Sequence, residues 1–307
     1  MTLIPVPREA VLVVNARSRR GEALFQEARD KLEAAGFTLT AAYAVKNPSA
    51  MASTVREAVR LGAPMVIVGG GDGSLSGTID EVVGTDCVFA PLPLGTANSF
   101  ARTLGIPLDL DKAVACLASG QRRRIDVGVI NGDYFVNAAS IGLSPLIGDT
   151  ISPKLKKYFG RIGYLIWAVR CFVILKPFQL FIHDGRREWH MWSTEVRIMN
   201  GRFHGGVELS DTADVESGDI VIQAVTGRDR WALVLDWYAK FFRLRDRHAR
   251  TEEFRGTEMK LDTKPHLPIS IDGEVLARTP ATVKVAAGAV EVIVPSDKEE
   301  QQTPVAG

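Results

Sequence analysis

Cysteine is scarce: Cys87, Cys116 and Cys171 are the three in 307 residues, an odd number with no CxxC pair. This excludes a disulfide framework and a cysteine-ligated zinc site, and a reducing cytoplasmic compartment is expected. Net charge is also missing, since 37 basic side chains face 36 acidic ones. No global field would draw such a chain onto nucleic acid, so no nucleic-acid partner is expected and any anion site must be local. The longest apolar region, Ile162 to Leu175, is cut by Arg170 and closed by Lys176 and Pro177. A spanning helix needs about 20 largely uncharged residues, so no membrane crossing is expected. The start, MTLIPVPREAVLVVN, carries no basic stretch before its short apolar run, which reads as a first strand rather than a targeting segment. Internal repeats and low-complexity tracts are absent too. What remains, 46% hydrophobic and 24% charged, is an ordinary folding composition of a length that predicts two domains.

The elements that are present alternate. AVLVVN (Ala10 to Asn15) is a buried-strand run, and Leu24, Phe25, Ala28, Leu32 and Ala35 follow at helical spacing up to Gly36. A strand through Phe37 to Tyr43, a helix around Val55, Ala58 and Val59, and the strand Met65 to Val68 continue the pattern. A short helix after Gly73, a strand Val88 to Leu92 and helices near Phe100 and Val114 complete it. Such alternation predicts a parallel sheet with helices on its faces, binding ligands at the carboxyl ends of its strands. Near residue 125 the grammar changes: RIDVGVI, the Asn131-Gly132 turn and DYFVNAAS read as a hairpin. Strand runs recur at FQLFIHD, TEVRIM, DIVIQAV, FRGTEMKLD, LPISIDG, ATVKVA and AVEVIV, so the second half is mainly antiparallel β. Helical stretches at Lys154 to Leu175 and Arg230 to Arg247 interrupt it, and the polar end, 297–307, reads as a disordered tail.

The most informative stretch is VIVGGGDGSLSGTIDE, Val66 to Glu81, in which an apolar strand runs into Gly69, Gly70, Gly71, Asp72 and Gly73 and a helix begins at about Ser74. Consecutive glycines let backbone approach a phosphate, and the helix N-terminus supplies unpaired N–H groups and positive dipole. Asp72 beside phosphates is what a magnesium ion needs. The loop is neither a Walker A sequence nor the spaced GxGxxG fingerprint. Read alone, the lesser alternative is a tight strand-to-helix turn with Asp72 as a cap. A second loop, Ala90 to Pro107, supplies Gly95, Thr96, Asn98 and Ser99 at the end of the next parallel strand. Two such loops form a cleft of nucleotide-binding type, although ordinary helix capping explains the second loop by itself.

Together these loops resemble the catalytic domain of the diacylglycerol kinase family, which includes bacterial lipid kinases and is related to NAD kinases. GGDGS (Gly70 to Ser74), LPLGTANSFAR (Leu92 to Arg102), VNARSRRG (Val14 to Gly21), RIDVG (Arg124 to Gly128) and IDGE (Ile271 to Glu274) carry the resemblance, in the family's order, along nearly the whole chain. It implies a Rossmann-like α/β nucleotide-binding domain over 1–125, completed by the last strand at about 287–296. A C-terminal antiparallel β-sandwich for the lipid substrate would span 126–286. The activity implied is ATP- and magnesium-dependent phosphorylation of a lipid hydroxyl, most simply diacylglycerol or a related lipid. Glu274 matches the family's proposed general base, and Asp72 and Asp126 its magnesium-organising acidic pair. Asn15, Gly70 to Leu75 (Gly70, Gly71, Asp72, Gly73, Ser74, Leu75) and Thr96 match nucleotide-contacting positions. Bacterial members often hold a structural magnesium in a loop that aligns with Asp211 to Ile222, where Asp214, Ser217 and Asp219 are the matching positions. Without the family, Asp126 and Glu274 read as an exposed strand carboxylate and a turn residue.

The departures are specific. Ala16 and Arg19 replace the Pro and Gly of NPxSG, and Arg17, Arg19 and Arg20 offer phosphate contacts in their place. Ser76 and Gly77 replace Asn and Glu, Val45 a nucleotide-contacting Thr, and Ser99 the usual Asp. Two alternatives therefore stay open: a kinase for a soluble acceptor such as NAD, and a nucleotide- or lipid-binding protein with little transfer activity. A water-insoluble acceptor also requires reversible contact with a membrane surface, at the inner face for a cytoplasmic protein. Lys154, Lys156, Lys157 and Arg161 with Tyr164, Trp167 and Phe172, and the stretch Arg230 to Arg250, combine basic and aromatic residues in that way. The alternative is that each helix packs its apolar face on the β-sheet and solvates its charges. An exposed strand in either domain could pair across a homodimer.

Overall fold

The computed structural model describes residues 5–143, 145–146, 170–229, 231–242 and 250–296. The chain divides into two compact units: residues up to Val127 with Phe203–Gly206 and the chain from Ala287 on, and Gly128–Arg202 with Val207–Ala286.

The first unit alternates strand and helix: β1 (Glu9–Asn15), α1 (Arg19–Ala34), β2 (Thr38–Val45), α2 (Met51–Arg60), β3 (Met65–Gly70), α3 (Asp72–Ile79), β4 (Val88–Pro93), α4 (Ser99–Thr103) and α5 (Leu110–Ser119). Val11, Leu12, Val13 and Val14 of β1 and all of β3 and β4 are buried, which explains why these strands read as unbroken apolar runs. The sheet order β4-β3-β1-β2 is parallel throughout. Val14 pairs with Gly69 and Gly70 with Pro93, so the carboxyl ends of β1, β3 and β4 lie side by side. Helix α3 starts at Asp72, ahead of the expected Ser74, because Gly71 takes the extended N-cap conformation and leaves Asp72 as the first helical residue.

In β5 (Gln121–Ile130), residues 128–130 pair antiparallel with β6 (Asp133–Phe135) across Asn131 (φ 53°) and Gly132 (φ 108°), the expected hairpin. The chain continues as β7 (Ala138–Ile141), β8 (Phe178–His183), β9 (Glu188–Met199), β10 (Phe203–His204), β11 (Val207–Glu208), β12 (Ile220–Thr226), α6 (Trp231–Phe241) and β13 (Thr251–Gly256). The last strands are β14 (Glu258–Lys264), β15 (Pro268–Ile271), β16 (Glu274–Arg278) and β17 (Ala281–Val294). Strands β16, β15, β7, β9, β8 and β14 follow one another antiparallel, and β12 pairs with β9 and β13. Ile141, Leu180, Val196, Ile198, Ile222, Leu261 and Ile271 meet in the core of the second unit.

Two strand boundaries differ from the sequence reading. FRGTEMKLD is divided at Thr257 between β13 and β14. ATVKVA and AVEVIV are one strand, β17, although Gly288 adopts φ 56° at their junction. The strand continues there because the Asp126 carboxylate accepts the Gly288 N–H.

Helix α6 reverses the expected polarity. Alternation along β9 sends Val196 and Ile198 into the core and turns Glu195 and Arg197 to the opposite face, where Gln223 of β12 pairs in register with Arg197. Leu233, Asp236 and Lys240 of α6 are buried, and Asp236 and Lys240 bond to that polar face. Trp231, Val234, Leu235 and Tyr238 are left exposed. Asp236 and Lys240 are therefore inside beside Leu233, and four large apolar side chains, Trp231, Val234, Leu235 and Tyr238, are outside. Residues 154–169, 230 and 243–249 of the two helical stretches lie outside the described residues, as does the tail at 297–307.

Candidate active site

At the carboxyl edge of the parallel sheet, Asn15 ends β1 and donates from Nδ2 to Ser74 Oγ at 2.8 Å. Its Oδ1 accepts the Arg17 N–H, and Ser18 caps α1 by accepting the Gly21 N–H at 3.1 Å. The glycines here are dictated by space rather than by φ. A Cβ on Gly70 would lie 2.5 Å from the Ser74 Cβ, and one on Gly95 would lie 2.4 Å from the Gly71 Cα. The loops after β3 and β4 are thus packed backbone to backbone. In front of them is a cavity of about 170 Å³ lined by Asn15, Ser18, Gly21, Leu24, Gly70 and Gly71 with Leu94. No side chain caps α3, whose first N–H groups have no intrahelical acceptor. The cavity has room for a phosphoryl group, not for a whole nucleotide, and the helix end favours negative charge.

The second loop is organised by Asn98, in the left-handed region at φ 48°. Its Oδ1 accepts the Gly95 N–H at 2.9 Å and its Nδ2 donates to the Gly95 carbonyl at 3.0 Å. That closure presents Thr96 to solvent, with no side-chain hydrogen bond among the described residues. Ser99 is buried, and its hydroxyl accepts the Gly206 N–H. It does not point a polar group at a ligand; it holds backbone.

Of the three acidic positions, Asp72 is partly exposed. Its Oδ1 accepts the Phe100 N–H at 3.0 Å, so it caps α4 rather than its own helix, and its Oδ2 has no partner among the described residues. Asp126 is 4% exposed and accepts the Gly288 N–H through Oδ1 at 2.8 Å; it is a buried strand carboxylate, not an exposed one. Glu274, in the second unit, is exposed at the start of β16 and has no hydrogen-bond or ion-pair partner among the described residues. The neighbour that sequence reading passed over is Asp272. Its Oδ2 accepts the Val136 N–H at 2.9 Å, and its Oδ1 accepts those of Asn137 and Ala138. Asp272 itself is left-handed (φ 44°), which fixes the turn that delivers Glu274. Gly128 of RIDVG is likewise structural, since a Cβ there would fall 2.0 Å from the Phe135 ring.

Among the described residues no three His, Cys, Asp or Glu side chains converge as a metal-binding group. The Asp72 Oδ2 still fits a magnesium ligand beside the phosphate cavity. The loop from Asp211 does not fit one. Ser217 Oγ lies 2.7 Å from both the Asp214 carbonyl and Asp219 Oδ1, with one proton to give to either, and the Asp214 carboxylate accepts the Glu216 N–H. Arg202 lies 3.6 Å from Asp214 Oδ2, Arg255 lies 3.4 Å from Asp219 Oδ2, and Arg255 also donates to the Thr212 carbonyl. Asp214, Ser217 and Asp219 are brought together, but guanidinium groups supply the positive charge.

Sequence reading also missed a buried polar cluster beneath α6. Arg197 donates to Glu195 Oε1 at 2.9 Å and to Asp236 Oδ2 at 2.6 Å, while Lys240 lies 3.1 Å from Asp236 Oδ1 and donates to Gln223 Oε1. Burial, with Arg197 nearby, pulls the Lys240 ammonium down to about 8. The available signal was that Glu195 and Arg197 alternate with Val196 and Ile198 in a strand whose two faces are both covered. A larger groove of about 630 Å³ in the second unit, lined in part by Phe181, His183, Lys260 and Lys264, contains none of the candidate site residues.

Residues 9–130 match the family described as diacylglycerol kinase catalytic domain, and residues 140–294 match the YegS C-terminal NAD kinase beta sandwich-like domain. A "Probable lipid kinase YegS-like" protein of Enterobacter sp. (strain 638) is 31% identical over 224 residues, covering 71% of this chain and 74% of its own. The "Probable lipid kinase YegS" of Salmonella typhimurium (strain LT2) is 32% identical over 251 residues, covering 79% and 82%. A solved structure described as a diacylglycerol kinase from Bacillus anthracis str. Sterne superposes with a TM-score of 0.73 at 20% identity, over 94% of this chain and 97% of that one. That likeness establishes the α/β domain followed by an antiparallel β-sandwich.

Proposed function

The chain belongs to the diacylglycerol kinase catalytic-domain family of kinases, and from that premise we propose that it transfers the γ-phosphate of ATP to the hydroxyl of a membrane lipid, diacylglycerol or a close relative. The observation that carries this reading is the small cavity formed by Asn15, Ser18, Gly21, Gly70 and Gly71 before the uncapped α3. It seats phosphate against backbone N–H groups, and Ser74, held by Asn15, presents its hydroxyl beside it. Thr96, exposed on the neighbouring loop, is the further nucleotide contact.

Magnesium, when bound, neutralises charge on the transferring phosphoryl group. Asp72 would hold it through Oδ2, with Asp126 acting through water because its Oδ1 is committed to Gly288. Glu274 is the general base. An exposed carboxylate without an internal partner takes the proton from the lipid hydroxyl as that oxygen bonds to the γ-phosphorus and ADP leaves. The acceptor is drawn from the inner membrane face by reversible contact, the protein being otherwise cytoplasmic. No helix among the described residues is long and apolar enough to cross a membrane.

The test is incubation with γ-labelled ATP, magnesium and mixed micelles of diacylglycerol, sphingosine, phosphatidylglycerol or total lipid extract, followed by separation of products. Labelled lipid that disappears with Glu274→Gln supports the reading. Label transferred to NAD in detergent-free buffer, or nucleotide binding with no labelled lipid, would overturn it.

A further inference from the structure

The reversed helix α6 calls for a physical account. An ordinary surface helix buries its apolar stripe and solvates its charges. Here Asp236 and Lys240 are 3% and 1% exposed, locked against Arg197 and Gln223, whereas Trp231 (59%), Leu235 (49%), Tyr238 (56%) and Phe242 (56%) face outward. Val173 and Ile174 add 56% and 50% exposed side chains, and Phe172 meets the Trp231 ring edge-on at 5.7 Å. Most of the exposed large hydrophobic residues of the described chain are gathered in this one patch. Monomeric proteins in water rarely expose contiguous apolar surface of this kind without a partner for it. The buried ion pairs make the orientation robust, because turning the helix over would bury the aromatics only by separating Asp236 from Arg197.

We infer that the outward face of α6, with Val173 and Ile174, is a docking surface for an anionic lipid bilayer. The inference rests on the lipid-kinase reading, which requires a bilayer as the source of acceptor. Charge supports it independently: from Arg228 to Arg250 there are seven basic and three acidic side chains, and one of each, Lys240 and Asp236, is consumed internally. In the sequence, basic residues bracket this aromatic and aliphatic stretch, a combination that suits the headgroup and acyl layers of such a membrane together. The face would enter the interface in the plane of the bilayer, with Trp231 and Tyr238 at headgroup depth.

The test is flotation of the purified full chain with vesicles of phosphatidylcholine, with or without phosphatidylglycerol, comparing wild type with a Leu235→Ser, Tyr238→Ser double variant. Both substituted side chains are exposed, so the fold is expected to survive, and melting temperature checks it. The expected result is binding that is stronger with phosphatidylglycerol and weakened about tenfold or more in the variant. Transfer to a dispersed short-chain acceptor should be kept by the variant. Unchanged vesicle binding would overturn the inference, as would a shift from dimer to monomer on gel filtration, which would make this face a contact between two copies. Failure of the kinase reading is seen separately, as absence of labelled lipid from the wild type while vesicle binding still depends on Leu235 and Tyr238.

Discussion

Asp126 reaches across 162 positions of sequence to accept the N–H of Gly288 at 2.8 Å, and so joins the RIDVG motif to the strand that closes the α/β sheet. A carboxylate proposed, from its motif, as a magnesium organiser is therefore also a structural acceptor. The two roles separate by substitution. Asp126→Ala leaves the part-buried Gly288 N–H without its acceptor and should destabilise by about 1 kcal/mol. Asp126→Asn keeps an oxygen for that bond and should melt near the wild type, yet lose most of the magnesium-dependent rate. Thermal melting beside a magnesium titration of the rate checks both, and an Asn variant with normal rate would confine Asp126 to structure.

Gly95 and Gly71 meet backbone to backbone, so a methyl group at Gly95 cannot be absorbed by a side-chain movement. Gly95→Ala should therefore push the two loops apart and weaken ATP binding by about tenfold or more, the equivalent of about 1.4 kcal/mol. Calorimetric titration with a non-hydrolysable ATP analogue measures it.

The α/β unit was legible almost strand by strand because β3, β4 and the interior of β1 from Ala10 to Val14 are buried and carry no polar residue to disguise the run. The second half was legible as strands but not in its boundaries: Gly288 looks like a break and is not one, because the acceptor that sustains the strand lies in a distant segment. Within the loops, the division of labour was not legible. Asn98 and Ser99 serve backbone closure, and Asp272 rather than the adjacent glycine alone fixes the approach to Glu274. Helix α6 was read as amphipathic, but which face turns inward depends on Arg197 and Gln223, contributed by strands that no local pattern connects to it.

Removal of magnesium tests the loop from Asp211. Because Arg202 and Arg255 already neutralise Asp214 and Asp219, the wild-type melting temperature should be the same in magnesium and in chelator. Arg255→Ala exposes the carboxylates to one another and should melt lower, with partial recovery on adding magnesium. A wild type that magnesium stabilises would restore the cation to this loop.

Lys240 gives the fold a signature in alkali. Unfolded, the ammonium titrates at its ordinary 10.5; folded, burial brings it to about 8. Between those values the unfolded chain holds a proton that the folded chain lacks, so this group makes stability rise with pH across the window, by up to about 3 kcal/mol. Cys87 opposes it from pH 9 upward, since burial pushes its thiol to about 11. Lys240→Met leaves Cys87 in place and keeps Arg197 paired with Asp236, so the difference between wild-type and variant denaturation curves isolates the lysine. The stability of the wild type minus that of the variant should rise from pH 7 to pH 10, and a constant difference would show that Lys240 stays charged.

Glu274 and Asp272 sit two residues apart and divide the work at the β15–β16 turn: one carboxylate is consumed by three backbone N–H groups, the other is left without a partner among the described residues. If Glu274 takes the acceptor's proton, Glu274→Gln should lower kcat about 10²–10⁴-fold while the affinity for ATP stays unchanged. Asp272→Asn turns one of its two accepting oxygens into a donor facing those N–H groups, so it should lower both kcat and the melting temperature. The pairing of the two variants is what makes the assignment decisive. A Gln variant that melts normally, binds ATP normally and transfers phosphate at the wild-type rate would remove Glu274 from the chemistry, whatever the effect at Asp272.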